Sequence, residues 1–168
     1  MKNKLINTLP IAIVLGFVLI LSCGDDDGPG DGDNRTPQQV ATDSLTQGAW
    51  TLANGGSILF DNNDVSDQYT GFSATFNFNE SGANNYTTLN SGGPSGQNQL
   101  FNASGTWEWA NGTTNNLINL VGETDKGSLT VTELTTNRFA FRFQQLSDRG
   151  TANGVDGLAG NYTITLTR

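Results

Sequence analysis

Histidine is absent from these 168 residues, and cysteine occurs once, at Cys23. A Ser-His-Asp or Cys-His nucleophile cannot be assembled without imidazole. One thiol makes neither an internal disulfide nor a thiolate zinc site. Glu80, Glu108, Glu123 and Glu133 remain as acid/base candidates. Glycoside hydrolysis would need two of them with carboxyls about 5–9.5 Å apart, and nothing in their spacing pairs them. Glu108 lies between Trp107 and Trp109 in an alternating stretch, so it is expected to face solvent, as is Glu133. Asp61, Asn63, Asp64 and Asp67 have the composition of a calcium loop but lack the glycine on which an EF-hand loop turns. The inventory points to no catalytic residue, no metal and no cofactor, and the chain reads as a non-enzyme.

The aromatic residues are the second set of candidates. Trp50, Phe76, Trp107, Trp109 and Phe141, with Phe72, Phe78, Phe139 and Phe143 beside them, either line a pocket for a small hydrophobic ligand or fill a core. Each buries roughly 150–250 Å². An eight-stranded barrel is only just wide enough for its own side chains, so this bulk favours a filled interior. Exposed Trp, Tyr and Asn side chains could also stack on sugars and hydrogen-bond to them.

The elements that carry these residues are mostly strands. Thr36-Pro37-Gln38-Gln39 is a helix start: Thr36 caps, Pro37 suits the first turn and Gln39 completes a capping box, predicting a helix to about Thr46. Beyond Gly48 the period changes. Gly48 to Ala53 leads into the turn signal Asn54-Gly55. In F-S-A-T-F-N-F, Phe72, Ala74, Phe76 and Phe78 share one face. Further strands are expected over 85–89, 106–109, 117–121, 128–134, 137–144 and 162–167, with Phe139, Phe141 and Phe143 alternating in the seventh and Tyr162, Ile164 and Leu166 in the last. About eight or nine short strands, each with one apolar face, predict an antiparallel sheet curved around one core. Segments 90–104 and 147–157 read as loops, where binding residues tend to sit. G-A-W-T-L-A-N-G at 48–55 and G-T-W-E-W-A-N-G at 105–112 share five residues in register but not their flanks. We read them as two strands that each bury a tryptophan and leave through an Asn-Gly turn.

The formal charge of −8 and the pI near 4.2 exclude a nucleic-acid partner, which needs a basic face. The acid is concentrated after Cys23, in G-D-D-D-G-P-G-D-G-D-N. That stretch has nothing to pack and is expected to be a solvated tether. Before it, Lys2 and Lys4 precede an apolar run from Leu9 to Leu21. Thirteen helical residues rise only about 20 Å, short of a hydrocarbon core of about 30 Å. The pattern is that of a secretory signal peptide over residues 1–22.

Ile20-Leu21-Ser22-Cys23 resembles the lipobox of bacterial lipoproteins. The resemblance implies cleavage before Cys23, lipid on that cysteine and attachment to a membrane through it. Cys23-Gly24-Asp25-Asp26-Asp27 is similar to the acidic export signal of surface lipoproteins of Bacteroidota, which implies an outer-membrane protein that is exposed at the surface. Asp43-Ser44-Leu45 matches the O-glycosylation pattern of the same group, with Ser44 as acceptor. G-A-W at 48–50, D-V-S-D-Q-Y-T-G-F at 64–72, Y-T-T at 86–88, S-G-T-W at 104–107 and G-N-Y-T-I-T-L at 160–166 occur in order. Together they resemble the lipocalin-like lipoproteins of Bacteroidota, small calycin-type barrels. The chain departs from that pattern in a Gly-rich loop at 91–98 and in having no helix after its last strand. The resemblance implies an all-β, eight-stranded up-and-down barrel over 37–168, behind a tether over 23–36. The function expected is non-catalytic binding of a carbohydrate or protein partner through the barrel loops. Lipocalin-type carriage of a small hydrophobic ligand is the alternative.

Overall fold

A computed structural model describes residues 34–90, 100–111, 114–147, 149–151, 154–156 and 158–168. The expectations for Cys23, Asp25, Asp26, Asp27 and the leader fall outside the described residues. The one α-helix among them is α1 (Pro37–Thr46), and its capping box forms as the sequence predicts. The Thr36 hydroxyl accepts from the Gln39 amide at 3.2 Å, and the Gln39 side chain accepts from the Thr36 amide at 2.7 Å.

Twelve strands follow: β1 (Ala49–Thr51), β2 (Ser57–Phe60), β3 (Asn63–Asp64), β4 (Ser73–Asn77), β5 (Asn84–Leu89), β6 (Ser104–Asn111), β7 (Thr114–Val121), β8 (Leu129–Leu134), β9 (Arg138–Gln145), β10 (Arg149–Thr151), β11 (Gly154–Asp156) and β12 (Gly160–Thr167). Eight of them, in the order β1-β4-β5-β6-β7-β8-β9-β12, form an antiparallel ring that closes through Thr51 on β1 and Thr167 on β12. This is the all-β barrel that the alternating sequence predicts, and closure leaves the ring without a free edge.

Two features depart from the sequence reading. Asn54 and Gly55 take positive φ, 56° and 94°, as an Asn-Gly turn requires, but the turn does not reverse the chain onto a neighbour. Instead β1 and β2 both pair with β12, β2 along Ile58↔Ile164, so the two form one interrupted stave. The stretch 147–157, expected to be a loop, holds the β10–β11 hairpin, with Gly150 opposite Val155.

The interior is filled from both walls. Phe139, Phe141 and Phe143 form a ladder along β9 with centroids 4.7 and 6.4 Å apart, and Phe143 stacks on Tyr162 at 5.2 Å. Phe76 on β4 meets Phe139 edge-on at 5.8 Å, so rings from separate parts of the wall touch in the middle. Phe78 is a correction to the face assignment: it lies one residue past β4 and is 54% exposed. The side chain of Asn79 turns the chain there, accepting from the Ser81 amide at 3.1 Å.

Close packing makes some glycines obligatory. A Cβ on Gly105 of β6 would lie 2.6–2.8 Å from the Tyr86 ring. Gly105→Ala is therefore expected to destabilise the barrel by about 1–3 kcal/mol, read by chemical denaturation, through overpacking. An unchanged midpoint would mean that Tyr86 moves aside freely.

Candidate functional site

Antiparallel order puts α1 at one end of the barrel and the β5–β6, β7–β8 and β9–β12 connections at the other. The two ends are chemically different.

At the α1 end, Trp50 is fully buried and donates from Nε1 to the Leu45 carbonyl at 2.8 Å. The Arg168 guanidinium lies 3.9 Å above its ring and donates to the carbonyl oxygens of Ser44, at 3.1 Å, and Thr136. These contacts fix α1 against the barrel. Ser44 is half-buried on this helix. Trp109, half-buried on β6, donates from Nε1 to the Thr42 hydroxyl at 3.0 Å and meets Trp107 edge-on at 5.8 Å.

A groove of about 660 Å³ opens between α1, the β4–β5 turn and β6. Its floor and rim combine two aromatic side chains, Phe78 and Trp109, with Gln38, Asp43, Glu80 and Glu108. A volume of this size falls within the range of small-ligand sites, roughly 300–1,000 Å³. Arg35 is paired with Asp43 at 2.6 Å. Asn84 accepts from the Asn79 amide at 3.0 Å. The side chains of Gln38, Glu80 and Glu108 make no hydrogen bond or ion pair among the described residues, which leaves them available to a ligand.

Of the five aromatic candidates, Trp50, Phe76, Trp107 and Phe141 lie in the core, and Trp109 alone lines the groove. The cavity lined by Phe72, Phe76, Tyr86, Phe101 and Phe141 measures only about 10 Å³. That is about the lower limit for holding one water molecule, and the surface facing it is apolar. This void has no room for a ligand.

The opposite end is plugged by a polar cluster around Glu123. The Glu123 side chain is 0% exposed and that of Lys126 1%, and the two form an ion pair. The Glu123 carboxylate also accepts from the Tyr86 hydroxyl and, at 3.0 Å, from the Asn102 amide. Lys126 sits 5.4 Å from the Phe101 ring centroid and 3.6 Å from Asp125, whose carboxylate accepts from Gln145 at 2.7 Å. Apart from Gln145 Oε1, which is buried with no hydrogen-bond partner among the described residues, the groups satisfy one another, and they pin the loops over the filled interior.

Three further acids are committed elsewhere. Glu133 pairs with Arg138 at 2.9 Å on the surface. Asp64 accepts from both the hydroxyl and the amide of Ser66, and these bonds hold its carboxyl below the usual range. Asp61 accepts from Asn161. The acids at 61 and 64 thus serve turns, and no cluster of three metal-ligating side chains occurs among the described residues.

Sequence periodicity finds Trp109 and misses its groove partners. Phe78 is hidden because the alternation in F-S-A-T-F-N-F runs one step beyond the strand. Gln38 and Glu80 carry no signal of their own, since only the closed fold brings helix and turn together. Comparison with protein-family models, curated proteins and solved structures finds no match to this chain.

Proposed function

We propose that this chain is a cell-envelope lipoprotein, held by lipid on Cys23 and an acidic tether, whose barrel binds carbohydrate without cleaving it. The observation that carries the binding reading is the groove beside α1. Two accessible aromatic side chains stand next to unsatisfied amide and carboxylate groups, the combination that stacks on a sugar face and accepts from its hydroxyls. The filled interior supports binding at this outer surface over carriage inside the barrel. Glu80 and Glu108 share the groove, but both are exposed. The exposure supports a binding role.

Two measurements test the reading. Trp109→Ala should weaken oligosaccharide binding at least tenfold, about 1.4 kcal/mol, in calorimetric titration against a panel of neutral and amino-sugar trimers. Equal binding by wild type and variant would contradict it. Metabolic labelling with a palmitate analogue should mark the mature protein and be lost in Cys23→Ser. An unlabelled wild-type protein would remove the lipoprotein reading.

A further inference from the structure

Charge in the groove narrows the class of ligand. Four charged side chains line it: Arg35, Asp43, Glu80 and Glu108. Arg35 and Asp43 face one another at 2.6 Å and offset each other's charge. Glu80 and Glu108 form no ion pair among the described residues, so the charged side chains of the groove carry an excess of two negative charges. A ligand rich in carboxylate, sulfate or phosphate would enter against that field. A ligand bearing ammonium groups would be drawn in by it, and the faces of Phe78 and Trp109 attract a cation as well as an apolar sugar face.

Resting on the carbohydrate reading above, we propose that the groove selects saccharides bearing free amino groups, such as oligomers of glucosamine. Stacking on Trp109 and Phe78 supplies affinity for the ring, and Glu80 and Glu108 supply the preference for the ammonium. Both carboxyls are exposed and make no bond among the described residues, so replacing them is expected to leave the fold intact.

The test is calorimetric titration of the full-length chain and of its Glu80→Gln, Glu108→Gln and double variants, each first matched to wild type by thermal midpoint. Four probes are used: glucosamine trimer, its N-acetylated form, glucose trimer and spermidine. The expected result is about tenfold tighter binding of the amino trimer than of the acetylated one, weakening as salt is raised. Each single variant should lose about threefold to tenfold for the amino trimer and a smaller factor for the neutral sugars, whose hydroxyls the glutamine oxygen still accepts from. Equal binding of amino and acetylated trimers, or a preference unchanged in the double variant, would overturn the charge selection while leaving carbohydrate binding standing. Spermidine binding as tightly as the amino trimer would overturn the saccharide class and leave only an ammonium site. No binding of any sugar, with Trp109→Ala also silent, would overturn both readings together.

Discussion

Lys126→Met is expected to lower the free energy of unfolding by about 3–5 kcal/mol, because it removes the cation that is ion-paired with the buried Glu123 carboxylate. An ion pair of this kind adds little net stability when formed, since desolvation offsets most of the attraction, but breaking it from one side exposes the full penalty. Glu123 would keep the Tyr86 hydroxyl and the Asn102 amide as donors, and these offset only part of the lost charge. The double variant Glu123→Leu with Lys126→Met removes both charges and is expected to be more stable than Lys126→Met alone. It should still fall below wild type, because the hydrogen bonds from Tyr86 and Asn102 to the Glu123 carboxylate are lost, at about 1–3 kcal/mol for a buried group. Urea denaturation of the three proteins decides it. A cost below about 1 kcal/mol for Lys126→Met would place the pair among solvated surface bridges, against the burial described here.

Trp50→Ala should cost a comparable amount, about 3–5 kcal/mol for truncating a fully buried aromatic. The indole fills the barrel end against Phe139 at 5.5 Å, carries Arg168 on its face and caps the Leu45 carbonyl. Trp50→Phe keeps a ring but leaves that carbonyl without its donor and should lie between wild type and Trp50→Ala. Because α1 forms one wall of the groove, loosening it should also reduce saccharide binding in Trp50→Ala, although Trp50 is absent from the groove lining. A variant that loses stability but binds as wild type would mean that the groove does not depend on how α1 is docked.

The fold was legible where local physics decides it. T-P-Q-Q starts α1 because capping, the N-terminal proline and the capping box act within four residues. Phe139, Phe141 and Phe143 mark β9 because a strand with one buried side must alternate. Ser57–Phe60 was not legible as β2: Ser-Ile-Leu-Phe is a four-residue run without alternation, and its pairing with β12 is visible only once the ring closes.

The sites were less legible, for a different reason. Glu123 and Lys126 lie three residues apart in a stretch that reads as an ordinary polar turn. Their burial depends on Tyr86, Phe101 and Asn102, which reach them from the β5 side of the barrel. The groove likewise draws on α1, a turn and β6, and only Trp109 announced itself. Chemistry that is assembled from distant segments leaves no period in the sequence.

On the proposed function, ligands bind beside α1 and not inside the barrel. Amide chemical-shift mapping of the full-length chain during titration with neutral and amino-sugar trimers tests it most directly. The claim predicts shifts concentrated on residues 35–43, 78–84 and 108–109, with Phe76, Phe141 and Ile164 unmoved in the core. Shifts centred on the core residues or on the Glu123–Lys126 end, or no shifts with any trimer, would contradict it.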